Sequence, residues 1–168
     1  MLESSAAAES SSRQMGRPKM DPSDLTNLER TRIQMEYVVP LVRDLQRLLG
    51  EAAVNEALAR RLEELTEKIG RPGSEADFAG MEAGTARYAR GGALDYEVIA
   101  SDADRFDLNI TRCGYMRMME DLGARDIGHL LICDLDHPIA ARAGMELTRT
   151  QTQMQGASCC DFRYRRRA

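Results

Sequence analysis

The chain has 168 residues, 30% of them charged, and a net charge of −4. That length suits one domain able to bury a core, and the near balance of charge excludes the broad basic face that a nucleic-acid partner would need. No run reaches the roughly 18 apolar residues of a membrane span, and Leu2 to Met15 lack the apolar centre of a secretory signal. A cytoplasmic protein whose cysteines are thiols is therefore expected.

Residues 1–20 read as a disordered tail, because Ser4 to Ser12 hold nothing to bury. The remainder, 21–168, reads as one domain, with a helical part over 21–92 and a sheet-and-site part over 93–168. The first helix is expected to start near Asp21-Pro22, where Pro22 suits the first turn and Asp21 or Ser23 can cap it. Leu25, Leu28, Ile33, Tyr37, Leu41, Leu45 and Leu48 form its apolar stripe, Pro40 is expected to kink it, and Gly50 ends it. Val54, Leu58, Leu62, Leu65 and Ile69 make the stripe of a second helix, closed by Gly70-Arg71-Pro72-Gly73. Such stripes ordinarily face a core, and the alternative is the seam of a homodimer formed through these helices. Residues 74–92 read as irregular, with one helical turn near Phe78.

From Leu94 the apolar period becomes two. Leu94, Tyr96, Val98 and Ala100, a turn at 101–104, and Phe106, Leu108 and Ile110 describe a hairpin. Helices follow over 114–122 and 126–136, the second stopped by Pro138. Strands over 145–154 and 159–165, joined by a turn at 155–158, make a second hairpin. The reading is an α+β fold: N-terminal helices plus an antiparallel sheet of two hairpins separated by helices. Arg163, Arg165, Arg166 and Arg167 read as a solvated end.

The chemistry gathers in the second half. Alternation places Cys113 with Asp107, Asn109 and Thr111, away from the oily side of its strand. Asp126, His129, Cys133 and Asp136 recur at steps of three and four, as one helical face would. In the closing strand Cys160, Phe162 and Tyr164 should point one way and Cys159, Asp161 and Arg163 the other. The plain alternative is that these thiols are small buried hydrophobes.

Three segments carry a resemblance: Thr111-Arg112-Cys113-Gly114-Tyr115, Cys133-Asp134-Leu135-Asp136, and Gly156-Ala157-Ser158-Cys159-Cys160-Asp161-Phe162. Over residues 94–165 the chain resembles the L-2-amino-thiazoline-4-carboxylic acid hydrolase family. The resemblance implies hydrolytic opening of a cyclic, amidine-like ring. On this reading Cys113, Cys133, Asp136 and Cys160 are the candidate catalytic residues, with Cys113 or Cys160 the nucleophile and Asp136 the base or water orienter. Tyr115, His137, Arg149 and Asp161 are the candidate substrate contacts, and Arg149 suits a carboxylate. His137 is a second candidate proton carrier. A second reading has the thiols with Asp136 or His137 holding zinc. In a third, the same pocket binds a small molecule without turning it over. The expected partner is in every case a small molecule, with no nucleic acid and no membrane.

Overall fold

A computed structural model describes residues 24–69 and 77–167, so the expected tail at 1–20, the cap at Asp21-Pro22 and the Gly70–Gly73 closure lie outside the described residues. Helix α1 runs over Asn27–Leu49. It starts later than the Asp21-Pro22 signal suggested because Thr26 and Glu29 form a capping box. The Thr26 hydroxyl accepts from the Glu29 amide at 3.2 Å, and the Glu29 carboxylate accepts from the Thr26 amide at 2.7 Å; each satisfies an otherwise orphan donor. Pro40 lies inside a continuous helix, which Gly50 ends at φ +92°, a backbone angle that only glycine adopts freely. Helix α2 follows over Glu51–Ile69.

The α1 stripe is corrected. Met35, Val39, Val42 and Gln46 are its buried residues, whereas Ile33, Tyr37, Leu41, Leu45 and Leu48 are exposed. Two apolar stripes share this helix, and the less conspicuous one met the core. In α2, Val54 is buried and Leu58 packs against the same core.

Residues expected to be irregular instead hold helix α3, Ala79–Tyr88. Strands β1, Leu94–Ser101, and β2, Arg105–Cys113, form the expected hairpin, with Phe106, Leu108 and Ile110 buried. Helix α4 covers Gly114–Asp121. The single helix expected over 126–136 is broken. Helix α5, Arg125–Leu131, stops at Ile132, a 3-10 turn spans Cys133–Leu135, and helix α6 occupies Asp136–Arg142. Pro138 therefore opens a helix rather than stopping one, since in the first turn its missing N–H has no carbonyl to reach. Strand β3 is only Met145–Thr148, and residues 149–159 form a loop rather than the expected long strand. Strand β4, Cys160–Arg166, closes the fold.

The sheet is antiparallel throughout in the order β1-β2-β4-β3. One core lies between the sheet and α6, built on Phe106, Leu108, Ile110, Ala140, Leu147 and Cys160. A second, of Met35, Val39, Val54, Met118, Met119 and Ile127, joins α1, α2, α4 and α5. The fold is α+β.

At the join of β2 and α4 the backbone of Gly114 passes close to β1. Its amide donates to the Ala93 carbonyl at 2.7 Å, and a Cβ there would lie 2.8 Å from that oxygen and 3.1 Å from Leu28. Backbone cannot yield as a flexible side chain can, so Gly114→Ala is expected to lower stability by about 1–3 kcal/mol, the range for overpacking. A denaturant midpoint unchanged from wild type would contradict the close approach.

Candidate functional site

The placement of Cys113 turns on one bulge. Asp95 pairs with Arg112 but Tyr96 pairs with Ile110, which leaves Thr111 as the extra residue of β2. An extra residue reverses the alternation beyond it. Cys113 therefore leaves the face of Asp107 and Asn109, where simple alternation put it, and packs against the core of Phe106, Leu108 and Ile110. The Thr111 carbonyl accepts from the Gln153 side-chain amide at 2.7 Å. The Gln153 backbone amide donates to the Cys160 sulfur at 3.2 Å. This buried glutamine joins the bulge to the second thiol, and Arg125 holds its loop through the carbonyls of Gln153 and Met154 at 2.9 and 3.2 Å.

Cys160 pairs with Ile110 across β2 and β4, so Cys160, Phe162 and Tyr164 take the same face as Ile110, Leu108 and Phe106. Above that face the Cys133–Leu135 turn and the start of α6 bring Cys133, Asp134 and Asp136. Arg149 lies beneath them with its side chain only 3% exposed. Its guanidinium donates to Asp136 at 2.7 Å, to Asp134 at 3.1 Å and to the Cys133 carbonyl at 3.0 Å, and it stacks 5.1 Å from the Phe162 ring centre. Asp136 is embedded among neighbours yet keeps 35% of its side chain open. One side of it is thus open to solvent, with the arginine below.

The electrostatics sort the three thiols. Burial pushes Cys133 well above the thiol range, and Arg149 only partly opposes it. Burial pushes Cys160 up to about 11. Cys113 is also raised by burial, but two backbone amides, of Met116 and Tyr115, work against the shift. Cys113 is the N-cap of α4, and its sulfur accepts from the Met116 amide at 3.4 Å. A helix N-terminus is where a thiolate is best supported. The Asp136 carboxyl is raised to about 6 by burial, with Arg149 opposing. The Asp136 charge acts on Cys113 and Cys133, Cys113 acts on Cys133 and Cys160, and Arg149 acts on Cys133 and Cys160, so Cys113, Cys133, Cys160, Asp136 and Arg149 form one electrostatic cluster.

The candidate substrate contacts divide. The Tyr115 hydroxyl is buried without a hydrogen-bond partner among the described residues; burial raises it to about 12, and Cys113 and Asp136 lie near it. His137 is half-buried beside the cluster, its pKa lowered by burial and then by Arg149. Arg149 belongs to the cluster, but its guanidinium is occupied by the protein's own carboxylates. Asp161 takes the face of β4 opposite Cys160, as alternation predicts, and accepts from the Thr150 amide and hydroxyl at 2.9 and 2.7 Å and from the Gln151 amide at 2.8 Å. Burial works the other way, yet those bonds hold its pKa down, and they tie β4 to the start of the 149–159 loop.

The stripe of Asp126, His129, Cys133 and Asp136 is not one face, because the helix breaks between its halves. Asp126 pairs with Arg43 at 2.6 Å. With His129, Arg125 and Met154, Asp126 lines a surface hollow of about 550 Å³ away from the thiols. Asp134 was missed, for nothing in its spacing distinguishes it from a solvated acid. Phe162 and Tyr164 could have been found, since they alternate with Cys160. Among the described residues no three His, Cys, Asp or Glu side chains come together as a metal site. No described helix is long and apolar enough to cross a membrane.

A family model described as L-2-amino-thiazoline-4-carboxylic acid hydrolase matches residues 30–164. No curated protein matches the chain.

Proposed function

Since the chain belongs to the L-2-amino-thiazoline-4-carboxylic acid hydrolase family, we propose that it hydrolyses a small nitrogen-containing ring, with Cys113 as nucleophile and Asp136 as base. The observation that carries this reading is the Cys113 sulfur at the head of α4, receiving a backbone amide and lying within the field of a carboxyl raised to about 6. At neutral pH that carboxyl is mostly ionised, and it is a stronger proton acceptor than an ordinary aspartate.

Asp136 takes the Cys113 proton as the sulfur adds to the ring carbon. The new C–S bond forms while the C=N pair moves onto nitrogen, which receives that proton. The nitrogen pair then re-forms C=N as the ring bond breaks, and the departing heteroatom keeps that bond's pair and takes, through Asp136, the proton the nitrogen gives up. A water deprotonated by Asp136 adds to the same carbon while the C=N pair moves onto nitrogen, which takes that proton; the carbonyl then forms as the C–S bond breaks, and the hydroxyl proton passes through Asp136 to the Cys113 sulfur. Tyr115, whose hydroxyl has no hydrogen-bond partner among the described residues, donates to the substrate on this reading, and Arg149 holds Asp136 in position.

The test is turnover of cyclic amidines, including 2-aminothiazoline carboxylates, beside lactams and cyclic ureas. Hydrolysis of one class is expected. Tight binding of a small molecule without turnover would replace the enzyme reading with a sensor, and stoichiometric zinc with chelator-sensitive activity would replace the thiolate.

The pH dependence has a defined sign. Asp136 must be ionised to accept a proton, so kcat/KM should fall as pH drops through about 6. Because folding raises this carboxyl above its ordinary 3.8, the folded state binds the proton more readily, and this group's contribution to stability improves as pH falls from about 6 toward that value. Asp136→Asn should therefore remove activity while leaving thermal stability at pH 7 equal to wild type or higher. An active Asp136→Asn enzyme would exclude Asp136 as the base.

A further inference from the structure

Helix α1 presents to solvent the apolar stripe that the core did not take. Ile33, Leu41 and Leu45 are exposed, and Tyr37 and Leu48 are 74% and 79% exposed. The helix extends about 34 Å at 1.5 Å per residue, with the stripe along most of it. Isolated exposed leucines are ordinary, but a continuous apolar row on a charged helix marks an interaction surface.

The order of residues identifies what covers it. Tyr37 lies midway between Ile33 and Leu41, and also midway between Arg30 and Asp44. At helical spacing Arg30, Ile33, Tyr37, Leu41 and Asp44 share one face. The central part of the row, Arg30 to Asp44, is thus symmetric in its apolar members about Tyr37 and opposite in charge at its two ends, while Leu45 and Leu48 continue the row beyond it on one side. Parallel pairing with a second copy would set Arg30 against Arg30 and Asp44 against Asp44. Antiparallel pairing across a twofold axis near Tyr37 sets Ile33 against Leu41 and Arg30 against Asp44, twice over. Such self-complementarity is what an isologous interface requires. Both charged groups are engaged only at the surface in the single chain: Arg30 with the Leu25 carbonyl at 2.9 Å and Asp44 with Arg47.

We propose that α1 is the interface of a homodimer in which two copies pack antiparallel about Tyr37. The buried side of α1 carries the second core toward α4 and α5, so the dimer leaves the thiol cluster outside the interface.

The test is sedimentation of the full chain across the micromolar range, with circular dichroism as a check on folding. Wild type is expected to be a dimer that dissociates on dilution. Tyr37→Glu or Leu41→Glu should raise the dimer Kd by about tenfold or more, as loss of a central contact does, with an unchanged melting profile. Since both side chains are exposed in the single chain, Tyr37→Ser serves as a milder second variant. Asp44→Arg should weaken the dimer, and adding Arg30→Asp should restore it. A chain monomeric at every concentration, whether the stripe is bare or covered by residues 1–23 or another protein, would overturn the proposal. So would a dimer indifferent to both glutamate variants, and failure of the charge swap to restore would overturn the antiparallel pairing.

Discussion

Replacing Cys113 with alanine should reduce kcat by at least about a thousandfold while the protein stays folded, the scale expected when a nucleophile is removed. The side chain lost is small, and the core it packs against remains, so the thermal transition should move little. The comparison that gives the result meaning uses the other thiols. Cys160→Ala removes the sulfur that accepts from the Gln153 amide and leaves that buried donor without its partner; its main effect should be on stability. Cys133→Ala removes a thiol whose burial disfavours the thiolate most strongly, and activity should survive in part. Cys159, half-buried beside Gln151, should tolerate alanine. Mass spectrometry of the enzyme quenched during turnover should find an adduct on Cys113. An adduct on Cys160 instead, or full activity in Cys113→Ala, would move the nucleophile.

Arg149→Met should cost about 3–5 kcal/mol of stability, the largest loss expected from any single surface-to-core contact of the site. The guanidinium is almost wholly enclosed, and it neutralises Asp134 and Asp136 together while filling the Cys133 carbonyl. Methionine can occupy the space over Phe162 but cannot pair with either carboxylate. The Asp136 pKa, which Arg149 now holds down against burial, should rise further, so the acid limb of any residual activity should shift to higher pH. Adding Asp136→Asn removes the uncompensated charge, and the double variant should recover part of the lost stability. Equal losses in the single and double variants would mean that Arg149 acts through packing alone.

Sequence by itself determined the class of fold, because the change from helical to strand period at Leu94 and the alternation of Phe106, Leu108 and Ile110 reflect local backbone geometry. It also marked Cys160 with Phe162 and Tyr164, since no bulge interrupts β4, and it carried the family resemblance in short segments around the thiols. Tertiary structure alone decided the rest, and in each case the reason is physical. The side on which Cys113 emerges depends on the bulge at Thr111, whose carbonyl is met by Gln153 from far along the chain. The stripe of Asp126 and His129 parted from Cys133 and Asp136 because the backbone turns at Ile132, which no periodicity announces. Arg149 looked available for a substrate carboxylate until the turn above it supplied Asp134 and Asp136. On α1 two apolar rows competed for one core, and local pattern cannot say which side of a helix its neighbours approach. The packing of α2, α4 and α5 took Met35, Val39 and Val42, and left Tyr37 and Leu41 in water.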